Sequence, residues 1–144
     1  MKIYISYFYQ LRNMPSEILP ISTALCWPKW MKIPKGKIIR YQERLWVGTS
    51  LKELSPADIN CNDCVGCSKE LAGNCNFTRL YYEHLQSLDF DEIMKKIEKA
   101  SNYFHCDEVC LMVYEAPTNP CSERAALVKW FVENGVELEE WRKQ

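Results

Sequence analysis

The run Glu108-Val-Cys-Leu-Met-Val-Tyr114, the turn Pro117-Thr-Asn-Pro120 and the segment Ser122-Glu-Arg-Ala-Ala-Leu-Val-Lys-Trp-Phe-Val-Glu-Asn134 decide the fold class of this chain. A continuous apolar run of strand length offers solvent no polar face. It reads as a strand covered on both sides, as in the middle of a parallel sheet. Asn119 and Pro120 read as cap and first residue of a helix, and Gly135 closes that helix in the usual C-terminal position. Val136-Glu-Leu-Glu-Glu-Trp141 alternates, which fits a final edge strand. Strand, turn, helix and strand of these lengths form a βαβ unit.

Working outward, residues 2–8 alternate and are β-branched or aromatic, so they predict a strand. Ile18-Leu-Pro-Ile-Ser-Thr-Ala-Leu-Cys26 predicts a second, and Pro20 argues that it starts at or after that residue. Leu45-Trp-Val47 is a short candidate strand. Asn76 can cap a helix running Phe77 to Leu85. Asp89 with Glu92 resembles a capping box. It opens a helix that carries Phe90, Ile93, Ile97 and Ala100 on one face and Lys95, Lys96 and Lys99 toward its end. The expected architecture is one α/β domain over residues 1–144, three-layered, with a mostly parallel sheet flanked by helices. Residues 56–76 form a cysteine-rich metal-binding insertion in it.

Composition narrows the function classes. At 144 residues with 47% apolar content the chain can bury one real core. Net charge is -1, so any nucleic-acid contact must come from a local patch rather than the whole-molecule field. No apolar run is long enough to cross a bilayer. Met1-Lys-Ile-Tyr-Ile-Ser-Tyr lacks the apolar region of a signal peptide. The expected compartment is therefore the cytoplasm, where thiols stay reduced, and the expected partners exclude a membrane. Oligomeric state is left open.

In a reducing compartment, eight cysteines suggest ligands or buried apolar groups before disulfides. Four fall in the pattern C-x2-C-x2-C-x7-C, at Cys61, Cys64, Cys67 and Cys75. Successive x-x spacings let one loop supply three thiolates to an ion or cluster, with a fourth further along. Gly66 and Gly73 leave that backbone free to wrap. Paired zinc ligands are more often widely separated, so the spacing leans to a [4Fe–4S] cluster. Tetrahedral zinc is the alternative, and with four cysteines supplied the default is a closed, structural site.

Two further constellations carry chemistry. The turn after Tyr114 sits at a strand's carboxyl end and a helix N-terminus, where open α/β sheets bind ligands and where a thiol pKa falls. Cys121 is a candidate nucleophile and Arg124 an anion clamp assisted by Ser122. Glu115 is a candidate to orient Arg124 or act as base. The ordinary alternative is a buried cysteine and a surface arginine. The segment Trp27 to Arg40 interleaves five cations with Trp27 and Trp30, and its Lys29, Trp30 and Lys32 suit phosphate contact with base stacking. The competing reading there is a solvated loop pinned by its tryptophans. His84 reads as partly buried helix packing. His105, Cys106 and Cys110 read as packing residues before a second metal site.

The opening Met1-Lys-Ile-Tyr-Ile-Ser-Tyr-Phe, Leu19-Pro-Ile-Ser leading to Pro28-Lys-Trp30, and Val113-Tyr-Glu-Ala-Pro with Cys121, Arg124 and Lys129-Trp-Phe resemble the domain of unknown function 488 family. These are small bacterial and phage α/β proteins. The family's late motif places a histidine between cysteine and arginine, whereas Ser122-Glu123 stand there in this chain. The resemblance implies the fold and a pocket more than a reaction, with the cysteine loop as an insertion.

The function expected from these residues is that of a metal-binding α/β protein acting on, or binding, a nucleotide or nucleic-acid base at the end of strand 108–115. One alternative is a non-enzymatic phage or bacterial interaction or nucleic-acid-binding module with structural zinc. Another is an iron–sulfur redox or sensor protein.

Overall fold

The structure is a computed structural model that describes residues 1–15, 17–23, 38–41, 44–47, 49–56, 76–113 and 123–142. Its main sheet contains β1 (Lys2–Tyr7), β2 (Ile18–Ser22), β5 (Thr49–Ser50), β6 (Glu108–Val113) and β7 (Glu139–Glu140). Their spatial order is β5-β2-β6-β1-β7, and every pairing is parallel. The chain is therefore α/β, as expected. A separate antiparallel pair joins β3 (Ile38–Tyr41) to β4 (Arg44–Val47), so Arg40 belongs to a strand rather than to the basic loop.

The apolar run at 108–113 is the central strand, and all of it except Glu108 is buried. Register then sorts the side chains by face, because alternate residues of a strand point to opposite sides. Ile3 and Leu19 both lie opposite Val109, and Ile5 and Ile21 opposite Leu111. This face packs against three helices, α1 (Asn76–Gln86), α2 (Phe90–Phe104) and α3 (Arg124–Glu133), through Tyr81, Leu85, Ile93, Ile97, Leu127 and Phe131. The opposite face, with Cys110 and Met112, is covered by a 3-10 segment, Phe8–Asn13, through Phe8 and Leu11, with Met14 beside them. Among the described residues, the α-helices thus occupy one side and a 3-10 segment the other.

Pro20 lies inside β2 instead of at its start, and the hydrogen-bond directions explain why. Thr23 donates to Met112 on β6, whereas the Ser22 carbonyl accepts from Leu51 on the β5 side. Residues two apart face the same neighbour, so Pro20 faces the β5 side with Ser22. The β5 pairing begins only at Ile21. A missing N–H at Pro20 therefore breaks no ladder bond.

Caps set the helix ends. The Asp89 carboxylate accepts from the N–H groups of Asp91 and Glu92, at 3.0 and 3.3 Å. After α3, Gly135 has φ +85, its N–H bonds Val132 O, and the N–H of Val136 bonds Phe131 O. That is a Schellman closure, and it needs the left-handed conformation that glycine adopts freely. The described part of α3 starts at Arg124. Asn119 and Pro120, expected as its cap and first residue, lie outside the described residues, as do Cys61, Cys64, Cys67 and Cys75. The alternating segment from Val136 contributes only a two-residue edge strand, β7.

Helix α1 is tied to the short turn at residues 52–54. The Tyr81 hydroxyl of α1 donates to Leu54 O at 2.6 Å, and His84 Nε2 contacts Glu53 O at 2.8 Å. Both carbonyls belong to the short 3-10 turn Lys52–Leu54. Tyr81 is fully buried, and His84 is half-buried as expected.

Candidate functional site

In a parallel sheet the crevice for a ligand opens where neighbouring strands send their carboxyl-end connections to opposite faces. β1 and β6 are such neighbours. β1 leads into the 3-10 segment on one face, and α3, which follows β6 in the chain, packs on the other. The carboxyl ends of these strands are Tyr7 and Val113, which lie opposite one another. Topology thus places the candidate crevice before any side chain is considered.

Arg124 is the first residue of α3 and stands at this crevice. Its guanidinium bonds the Glu140 carboxylate on β7 and lies over the Tyr7 ring, 6.0 Å from the centroid. Both charged side chains are mostly buried, 12% and 21% exposed, so solvent screens the pair less than a surface bridge. A guanidinium carries five N–H donors in a planar fork, more than one carboxylate can accept. Tyr7 is also held from its other end. Asn13 donates to Gln10, and Gln10 donates to the Tyr7 hydroxyl, at 3.2 and 3.1 Å.

Burial pushes the Glu140 carboxyl above its ordinary value, while Arg124 and Arg142 pull it back down. Desolvation outweighs the ion pair because its Oε2 is buried without a hydrogen-bond partner among the described residues. Next to Arg124, Glu123 is 3% exposed at the start of α3, where the helix dipole favours a negative charge.

The sequence offers Glu115 to orient Arg124 or to act as base. The described partner is Glu140, which sequence reasoning assigned only to an edge strand. Its alternating segment carried no chemical signal, and the contact depends on β7 lying beside β1. Arg124 opens the described part of α3. Cys121, Ser122, Glu115, Lys29, Trp30, Lys32, Cys61, Cys64, Cys67 and Cys75 lie outside the described residues.

Of the remaining cysteines and histidines, Cys110 is wholly buried on the 3-10 face. Burial pushes its thiol well above the usual range, with Glu140 adding to the shift and Arg124 opposing it, so it is inert packing. Burial also raises the Cys106 thiol. His105 is exposed and ends α2. Among the described residues no group of three or more His, Cys, Asp or Glu could hold a metal. No helix among the described residues is long and apolar enough to cross a membrane. Comparison with protein-family models, with curated proteins and with solved structures found no match.

Proposed function

We propose that this chain is a metal-binding α/β protein that binds a nucleotide or nucleic-acid base in the crevice between the carboxyl ends of β1 and β6. The observation that carries this reading is the placement of Arg124 at that crevice, against the Tyr7 ring and oriented by Glu140. The two groups offer what a nucleotide requires, a planar cationic fork for phosphate and an aromatic face for a base. Cys121, Ser122 and Glu115 belong to the same turn in sequence and would complete the site, Cys121 as nucleophile or anion contact. The resemblance to the domain of unknown function 488 family supports the same turn as the working one.

Cys61, Cys64, Cys67 and Cys75 would hold the metal, with a [4Fe–4S] cluster favoured by spacing and zinc as the alternative. The donor set fits either group, since four thiolates satisfy a cubane or a tetrahedral ion. The bonds from Tyr81 and His84 support a bounded insertion, because tied ends reduce the entropy of closing a loop. Such a metal would brace the loop.

Anaerobic purification followed by metal analysis and a visible spectrum tests the metal. Absorbance near about 400 nm with bound iron identifies the cluster, and a colourless protein with about one zinc per chain identifies the alternative. A metal-free folded protein overturns this part of the reading. Calorimetric titration with AMP tests the crevice. Arg124→Gln is expected to weaken binding about tenfold or more, the size of a lost charge-assisted hydrogen bond. Equal affinity in a variant shown to be folded by circular dichroism overturns it.

A further inference from the structure

Away from the crevice, a cavity of about 560 Å³ opens between the β5 edge of the sheet and α2. That volume lies within the range of small-molecule sites. Ile21 and Leu51 contribute apolar surface, and Phe104 and Tyr103 contribute aromatic surface. Tyr103 is 76% exposed and packs edge-on against Phe104, with centroids 4.8 Å apart. A large aromatic ring left this open gains little for the fold, yet it borders a cavity it could help close.

The charges at the mouth are unbalanced. Among the described residues, Lys52, Lys96 and Lys99 line the cavity with a single carboxylate, Glu53. Glu53 is already committed to Lys96 at 2.6 Å, and this bond holds its carboxyl below the ordinary value. Lys95, the other lysine of α2, pairs with Glu92. Lys52 and Lys99 have no carboxylate partner among the described residues. The spacing on α2 is what directs this face: residues 96, 99, 100 and 103 share one side of the helix, while Ile93 and Ile97 turn to the core.

We propose that this cavity is a second ligand site, for a small molecule with a flat aromatic body and a phosphate group, of the nucleoside monophosphate class. The ring lies against Tyr103 and Phe104 over Leu51, and the phosphate bridges Lys52 and Lys99. The Glu53–Lys96 pair fixes the rim between them. This site shares no residue with the Arg124 crevice and stands or falls separately.

The test is titration of the isotopically labelled full chain with AMP and with adenosine, followed by amide chemical shifts. Perturbations at residues 50–53 and 96–104 are expected with AMP. The double variant Lys52→Gln/Lys99→Gln is expected to weaken that response about tenfold or more, and Tyr103→Leu about fivefold. Adenosine is expected to bind weakly and to differ less than about twofold between wild type and the lysine variant, since it carries no charge for them to meet. Both lysines and Tyr103 are exposed, so these variants keep the fold. An AMP response confined to Tyr7 and Arg124 overturns the second site and leaves the crevice standing. A response at the cavity that survives loss of both lysines also overturns it.

Discussion

At the scale of single residues, the Arg124–Glu140 pair shows how a candidate site residue is defined by what it touches. The arginine's place near the start of the helix after the central strand was legible in the sequence, from the order of apolar run, turn and helical segment. Its described partner was not, since residues 124 and 140 meet only after β7 is laid against β1. Burial raises the Glu140 carboxyl above 4.5, so the folded state binds its proton more tightly than the unfolded chain. The sign follows: Glu140 lowers stability as pH rises from about 4.5 through its elevated folded value, and restores it on acidification. Thermal melts of wild type and Glu140→Gln across that interval should differ most at the upper end, where the wild-type carboxylate is charged. A difference that does not change with pH would show that Glu140 does not titrate in this interval. Glu53 has the opposite sign. Lys96 holds its carboxyl low, so its contribution is present above 4.5 and fades as pH falls through the folded value. It is partly exposed, so that contribution is small.

At the scale of elements, end signals were read more securely than element lengths. Asp89 caps α2 and Gly135 closes α3 as their positions in the sequence indicate, because caps and left-handed closures depend on neighbouring backbone atoms alone. The other end of α2 departs from that economy. His105 sits at φ 55, the only positive-φ residue other than glycine among the described residues, while its N–H and that of Cys106 close the last turn. The left-handed conformation strains a side chain bearing a Cβ. His105→Gly is therefore expected to raise stability by up to about 1 kcal/mol in chemical denaturation, part of the relief being offset by the freer unfolded chain. A loss of stability would mean that the imidazole makes a contribution larger than its backbone strain. Pro20 makes the converse point. It was expected to mark a strand's start, and the strand passes through it because only one of its two edges carries a full-length neighbour.

At the scale of the whole molecule, the five-stranded parallel sheet is centred on β6, which pairs with β1 and β2 and whose residues from Val109 to Val113 are all buried. Leu111 lies at the centre of the helix-facing core, so Leu111→Ala is expected to cost about 2–5 kcal/mol in equilibrium unfolding, with the spread set by how far the cavity collapses. A cost below about 1 kcal/mol would contradict the central place given to β6. The sequence by itself determined this centre: the unbroken apolar run at 109–113 can be satisfied only between two covered faces, and that fact is local. It also determined the helices of the βαβ unit and of residues 76–104, through periodicity along the chain. Strand order was decided only in three dimensions, and with it the switch point between β1 and β6, the meeting of Arg124 with Glu140 and Tyr7, and the lysine-rimmed cavity beside β5. Each of these joins residues distant in sequence, and their proximity comes from burying apolar faces whose own pattern names no partner. Periodicity tells a strand which side to bury, whereas the choice of neighbour belongs to the packing of the whole chain.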